Sequence, residues 1–543
     1  MAFLDRLVSS KKTLLGLCFG LSLLLHLPFM NLPPQSIHVW RQCSTLAVAR
    51  NLYEEGMNPL RPRIDQRFES DGVTGMQFPA YEYLVALGYE LFGERNFVHR
   101  AISFFLYMMG AWGIYELFHL LFGNTWAAAL GAWSFCWSPE LFFFGISALP
   151  DILALSSSIW GLYLFVRWFQ SGGAASYGFS LASATLGGLA KIQHLVIGFP
   201  IAAIVLAEKA KYSRSKTLAM AIYAVAAVGL TLGWYFYAAH LIRASGLTDY
   251  DIGFTPAPSF LWGAKVVWHN AVSEIPELIL NYATFIFVCA GVYVCLKDRK
   301  WKSRWFTPLA TWGIAVLVYY FIELGKMEVH SYYLLPFLPP LLVFAVWGGL
   351  FLKDSNPHFY RHPLSADAVN GDKEHRDAKT PRKNPGEKQN LNSNKISNVR
   401  RWIFIFLLLA QPTLAFFRIV PPRFWAQDKA VPQELYVESS REKLEKAVSK
   451  DQLCVVGPDP SRTIYFYFLH KKGFGFSQTS DLEAISNGKP CLEDYIRRGA
   501  RYLYTGDPQL PQSKILGPYL QSQILREGSF LVFSLSLPRP VSP

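Results

Sequence analysis

Residues 13–30 read TLLGLCFGLSLLLHLPFM, eighteen positions without a formal charge. About 20 apolar residues carry an α-helix across the hydrocarbon core of a bilayer, so this stretch reads as a membrane span. Comparable stretches recur along the chain, the last over residues 402–418. Composition agrees: of 543 residues, 51% are hydrophobic and only 17% charged, and the mean hydropathy is positive. That is more apolar surface than a soluble core absorbs. The expected fold is mainly α, a polytopic membrane helix bundle of about 11 helices with a small C-terminal α/β domain. Arg6, Lys11 and Lys12 precede the first span as in a signal peptide. No small-x-small cleavage site precedes Asn31-Leu32-Pro33-Pro34, so an uncleaved anchor is expected.

A net charge of +13 would suggest nucleic acid in a soluble protein. Here Lys and Arg concentrate between apolar segments, as the positive-inside rule requires, and no nucleic-acid partner is expected. Three basic segments, residues 208–216, 297–304 and 353–401, set the cytoplasmic side. Counting crossings from them, with helices near 126–144 and 272–296 and a tight cytoplasmic turn at Gly123-Asn124, leaves the N-terminus inside. Residues 31–98, Asp151, residues 241–271, residues 328–330 and the segment after the last helix then lie outside. Residues 175–207 are interrupted by Lys191, Gln193 and His194 and are expected as two short helices with the break outside. Residues 78–92 carry Glu82 and Glu90 and are too short to span, so they read as an interfacial or re-entrant helix.

The expected organisation is a transmembrane module over 1–352 with a large first outer loop at 31–98, a disordered basic cytoplasmic linker over 353–400, a last transmembrane helix at 401–420, and an extracytoplasmic domain over 421–543. In that domain Leu453-Cys454-Val455-Val456 reads as a strand ending at Gly457, followed by helices near 462–470 and 492–499. Gly457-Pro458-Asp459 lacks GxGxxG spacing and reads as a plain turn. The seven cysteines show no metal-ligand spacing, and spacing alone does not pair Cys454 with Cys491.

The first outer loop is the richest polar stretch, with His38, Arg41, Gln42, Arg50, Asp65 and Asp71. Guanidiniums and carboxylates of this kind can hold a phosphate and deprotonate a hydroxyl; they can equally pair with each other on a solvated surface. Asp151 starts a helix and could simply cap it. Facing the first loop, it would give two carboxylates on separate elements, able to share general-base work or to bind a divalent cation such as Mg or Mn. Lys191 lies in an apolar run, where a lysine is costly unless it snorkels or meets an anion. His330, Tyr332 and Tyr333 open a helix at the outer surface; an aromatic belt accounts for the tyrosines but not for the histidine.

Several short motifs recur in order: His38-Val39-Trp40-Arg41-Gln42 with Thr45, Ala49, Arg50 and Asn51; Pro62-Arg63-Ile64-Asp65; Phe78-Pro79-x-Tyr81-x-Tyr83; Phe92-Gly93; Pro150-Asp151; Lys191; and His330-x-Tyr332-Tyr333-x-x-Pro336. Together they resemble the GT-C glycosyltransferases, in particular the bacterial dolichyl-phosphate-mannose protein mannosyltransferase-like and lipid A sugar-transferase-like enzymes. The resemblance spans roughly the first 350 residues. It departs in two places: the family commonly carries an Asp or Glu soon after the first helix, where this chain has Arg41, Gln42 and Ser44, and a Glu where this chain has Gln77.

The resemblance implies an inverting hexosyl- or pentosyltransferase of the cell envelope, resident in the inner membrane. It would use a polyprenyl-phosphate sugar donor and a glycolipid, polysaccharide or protein acceptor. It places Asp65 first among candidate bases, with Asp151 in support and His38 and Asp71 behind, and gives Arg41, Gln42, Arg50, Lys191, His330 and Tyr332 to substrate binding. A transporter or flippase of lipid-linked sugars would also need basic groups near headgroups, and a non-catalytic scaffold would need none of this chemistry.

Overall fold

The computed structural model describes residues 2–208, 213–247, 253–303, 305–353, 391–426, 430–486 and 488–538. Basic residues Lys209, Lys211 and Arg304, and residues 354–390 of the expected linker, lie outside them.

The first helices, α1 (Ala2–Ser9) and α2 (Lys11–His26), meet at Ser10, whose side chain accepts from the Thr13 amide and caps α2. The chain then builds α3 (Val39–Glu55) and α4 (Ala80–Phe92), joined by a long loop. A hairpin follows, α5 (Asn96–Phe122) and α6 (Thr125–Cys136). Its turn is the expected one. Gly123 takes the left-handed conformation at φ 59°, open to a residue without Cβ, and Asn124 caps α6 through the Ala127 amide. One helix was expected over 126–144, but α6 stops and α7 (Pro139–Phe144) restarts. Pro139 has no N–H to continue a helical ladder and suits a first-turn position.

Next come α8 (Asp151–Ser171), α9 (Ala174–Ala190) and α10 (Gly198–Ala207). Between α9 and α10, Lys191 is extended and Ile192–Ile197 form a 3-10 turn, so the break expected here is present. Then α11 (Arg214–Ser245) leads to α12 (Phe260–His269), which continues as a π-helical stretch, Asn270–Ile279, before α13 (Tyr282–Lys297). The two sides of this joint bend by 114°, where the sequence suggests one helix over 272–296. Pro276 and the positive φ of Asn281 (56°) account for the bend.

The bundle closes with α14 (Phe306–Ile322), α15 (Leu324–Met327), α16 (Leu338–Lys353) and α17 (Leu391–Val420). Helix α17 starts ten residues before the expected position, so the end of the proposed disordered linker is helical. α13 and α16 approach backbone to backbone: a Cβ on Gly291 would collide with the Phe344 main chain, and one on Gly348 with that of Phe287.

Six described helices are long and apolar enough to cross a membrane, and the bent pair makes a seventh. Ile192–Ala207 and Phe306–Ile322 are apolar but shorter.

The C-terminal region forms a five-stranded sheet in the order Lys472–Gly475, Leu453–Gly457, Tyr502–Thr505, Phe530–Leu535, Leu520–Glu527. The first three strands are parallel, Phe530–Leu535 pairs antiparallel with the third, and Leu520–Glu527 pairs antiparallel with Phe530–Leu535. The helix Ile464–Leu469, buried at every position, lies against α3. The loop after α3 is stitched to the sheet: the Phe68 amide donates to the Gly473 carbonyl (2.9 Å) and the Gly473 amide to the Asp65 carbonyl (3.1 Å). Lys450 pairs with Glu54 at 3.1 Å and Arg498 with Glu69 at 2.6 Å. This docking places the small domain over the end of the bundle where the loop, Asp151 and His330 meet. All seven cysteines are free.

Candidate active site

Six elements deliver side chains to that end of the bundle. Asp151 is the first residue of α8, where the positive helix terminus favours a carboxylate. Lys191 escapes the end of α9 in extended conformation and reaches back to it, with Nζ to Oδ1 at 3.4 Å. The hydroxyl of Tyr235, on α11, accepts from the Ile192 amide (3.1 Å) and holds that break open. Lys191 Nζ also lies 5.3 and 5.1 Å from the ring centres of Tyr332 and Tyr333, close enough for cation–π attraction. Asp151 and Lys191 are both buried.

Glu82, in the first turn of α4, completes the set. It is fully buried; Gln77 Nε2 donates to its Oε1 (3.3 Å), and Oε2 has no partner among the described residues. Burial drives its carboxyl pKa up to about 7, against the pull of Arg41 and Lys191. Asp151 likewise keeps one oxygen, Oδ2, without a partner. The site therefore holds two buried carboxylates with spare acceptor capacity beside two buried cations, Arg41 and Lys191.

An aromatic wall closes one side. His38 precedes α3 in left-handed conformation (φ 55°), a costly position for a histidine. Its carbonyl accepts from the Arg41 and Gln42 amides. Gln42 Nε2 donates to the carbonyls of Gln35 (3.0 Å) and Ile37, so Gln42 shapes the turn. The His38 ring lies 5.4 Å from His330 and 4.9 Å from Tyr332. Burial lowers the pKa of His38 to about 4 and that of His330 to about 3; Arg423 adds to the first, His38 and Lys191 to the second. Both imidazoles are neutral at physiological pH, and His330 Nδ1 has no partner among the described residues.

The structure thus brings together Arg41, Asp151, Lys191, His38, His330 and Tyr332. It sets Asp65 and Arg50 elsewhere. Arg41 and Arg50 are nine residues apart on α3, about 13 Å along the axis and on opposite faces. Arg50 donates to Asp65 Oδ2 at 2.6 Å and to the Tyr467 carbonyl at 2.8 Å, while Asn51 donates to Asp65 Oδ1 at 2.9 Å. Both oxygens of Asp65, the leading sequence candidate for the base, therefore accept hydrogen bonds, and through Arg50 the carboxylate is tied to the C-terminal domain. Asp71 is half exposed and paired with Arg61. His194 sits under Ser158, 3.0 Å away.

Sequence reasoning missed Glu82. It noted this residue only as a charge that shortens an apolar stretch; the usable signal was a carboxylate one turn inside that stretch, beside Gln77.

This is a membrane helix bundle with a polar site at one end, covered by a small α/β domain. The sequence profile of the dolichyl-phosphate-mannose-protein mannosyltransferase family matches residues 77–234, and no curated protein matches the chain. Among solved structures the chain is similar to ArnT from Cupriavidus metallidurans in the apo state, with 12% identity over 95% of this chain and 97% of that one and a TM-score of 0.57. The same protein bound to undecaprenyl phosphate matches with 12% identity, coverage of 98% and 100%, and a TM-score of 0.57. The oligosaccharyltransferase AglB from Archaeoglobus fulgidus, in complex with an inhibitory peptide and a dolichol-phosphate, matches at 12% identity over 92% of this chain and 69% of that one, with a TM-score of 0.56. The chain has the GT-C glycosyltransferase fold.

Proposed function

We propose that this protein is an inverting glycosyltransferase that moves a sugar from a polyprenyl-phosphate donor to a hydroxyl of an extracytoplasmic glycolipid, polysaccharide or protein. It works in the inner membrane, with its N-terminus cytoplasmic and the C-terminal domain outside. The observation that carries this reading is the pairing of two buried, incompletely bonded carboxylates with two buried cations at one end of the bundle. Such groups are costly to hold there unless a substrate uses them.

In the proposed reaction Asp151 takes the proton of the acceptor hydroxyl. The oxygen attacks the anomeric carbon from the side opposite the phosphate, and the bond from that carbon to the phosphate oxygen breaks. Polyprenyl phosphate departs with the electron pair, needing charge stabilisation rather than a proton, and Arg41 and Lys191 supply it. Glu82, holding its proton near neutrality, orients the acceptor or relays the proton. Neutral His38 and His330 with Tyr332 offer hydrogen-bonding and stacking surface to the sugar. An apolar groove of about 300 Å³ between α14 and α16, lined at one end by Phe337, suits the isoprenoid tail.

The residues present do not suit a Mg or Mn site. Among the described residues no three His, Cys, Asp or Glu side chains group to hold a metal ion, and Lys191 already engages Asp151. A transporter would keep its polar site near the bilayer midplane; here the ionisable groups gather at the end beneath the C-terminal domain.

The test is transfer from a radiolabelled polyprenyl-phosphate sugar in inverted and right-side-out vesicles, with wild type and Asp151→Asn compared. Product formed only with access to the extracytoplasmic face, and lost in the stably inserted variant, supports the reading. Movement of lipid-linked sugar between leaflets without product would replace it with transport.

A further inference from the structure

The end of the bundle remote from the candidate site is built where three helices terminate. Arg400 lies in the first turns of α17, about 30 Å of helix from Val420, and beyond Val420 the guanidinium of Arg423 packs on Phe144 of the aromatic wall. α13 ends at Lys297 and α16 at Lys353. The close main-chain approach at Gly291 and Gly348 holds α13 against α16, and near their ends the rings of Tyr293 and Phe351 meet with centres 5.8 Å apart.

Two cations converge on that ring pair. The Arg400 guanidinium lies 4.6 Å from the Phe351 ring centre, and Lys297 Nζ lies 5.9 Å from the same centre and 5.7 Å from that of Tyr293. Neither makes an ion pair or a hydrogen bond among the described residues, and Asp298, next to Lys297 in sequence, pairs with Lys300 at 4.0 Å. Two like charges around one ring repel each other, and an anion held by both removes that cost. Cation–π contact leaves their N–H donors free for such an anion. Trp301 and Trp402, one in each of the two segments that carry the cations, are exposed, and exposed indoles settle at the headgroup level of a bilayer. Leu296 on α13 and Ile403 and Phe406 on α17 are exposed and apolar, a surface for acyl chains. Basic residues gathered between helix ends at headgroup depth are suited to anionic lipids. A zwitterionic lipid fits less well, because its ammonium meets two cations and aromatic faces already engaged by them.

We infer that Lys297 and Arg400 bind the headgroup phosphate of an anionic phospholipid, with Phe351 and Tyr293 holding the two cations in place. The inference does not rest on the transferase reading, because it concerns lipid binding at the opposite end of the bundle.

The test is native mass spectrometry of the full-length chain in neutral detergent, titrated with phosphatidylglycerol, phosphatidylethanolamine and phosphatidylcholine of matched acyl chains, with soluble glycerol phosphate as competitor. Wild type is expected to retain phosphatidylglycerol at lower concentration than either zwitterionic lipid, a measurement that needs no variant. Lys297→Gln and Arg400→Gln should each weaken phosphatidylglycerol about fivefold, the value of one basic residue near an anionic lipid surface, and leave the zwitterionic lipids unchanged. The charge-preserving pair Lys297→Arg with Arg400→Lys should keep the preference. Equal retention of the three lipids would overturn the inference, as would a phosphatidylglycerol affinity unchanged in the doubly neutralised variant. Displacement by glycerol phosphate at concentrations comparable to the lipid would also overturn it, by making the ligand a free phosphate.

Discussion

The two buried clusters served by α3 look alike in composition and differ in what their atoms do. Near its C-terminal end, Arg50 and Asp65 form an ion pair in which both carboxylate oxygens are taken, one by Arg50 and one by Asn51. Near its N-terminal end, Arg41 stands with Lys191, Asp151 and Glu82, and each acid keeps an oxygen without a partner among the described residues. A saturated pair holds parts together, because its charges are already compensated. An unsaturated pair is poised to accept a hydrogen bond or a proton. Burial and charge alone do not separate a clamp from a site; spare valence does.

That contrast can be broken by substitution. The largest effect is expected at Asp151→Asn, which should lower the transfer rate about 10³-fold while leaving the unfolding midpoint near wild type; a variant that still transfers at the wild-type rate would remove the distinction. Asp65→Ala should do the converse. It leaves Arg50 buried and uncompensated, at a cost of about 3–5 kcal/mol of stability, seen as a fall in the unfolding midpoint in detergent, with the rate per folded molecule largely kept.

Glu82 sharpens the contrast through pH. Its folded pKa, about 7, lies above that of an unfolded glutamate, about 4.3, so the folded state binds the proton more tightly. Wild type therefore loses stability as pH rises from the unfolded value through 7, and no further above it. Glu82→Gln should match wild type near pH 4 and exceed it by up to about 4 kcal/mol at pH 8. A stability difference independent of pH would mean that Glu82 is ionised throughout. A smaller change is expected at Lys191→Met, which should lower kcat/KM for the lipid donor about tenfold, read from initial rates at varied donor. Least of all, Arg61→Ala, which breaks the exposed pair with Asp71, should shift stability by less than about 0.5 kcal/mol and leave transfer alone.

Much of the scaffold was legible beforehand. The Gly123-Asn124 turn was visible as a polar interruption between two apolar runs, and the break at Lys191 as a charge where a continuous helix should have none. The strand at Leu453–Gly457 follows from four consecutive apolar residues ahead of a turn. Harder to read were the interruptions set by packing and by single backbone positions. Examples are the restart at Pro139, the bend at Asn281, and the extension of α17 back to Leu391 through residues too polar to look helical.

The site was legible only in part. Asp151, Lys191 and His330 stood out because each is an ionisable residue at the edge of an apolar run. Asp65 stood out for its motif and Glu82 hardly at all, yet in the structure both Asp65 oxygens accept hydrogen bonds while Glu82 Oε2 has no partner among the described residues.

By itself the sequence determined the membrane class, most helix positions and the α/β character of the C-terminal region, because these follow from local apolar length and periodicity. Only the tertiary structure decided which charges meet and which remain unsatisfied. Asp65 finds Arg50 fifteen residues away, Lys191 finds Asp151 across forty residues, and the docked C-terminal domain supplies the Tyr467 carbonyl that occupies Arg50. A carboxylate's role depends on how many hydrogen bonds it already accepts, and that number is set by long-range packing.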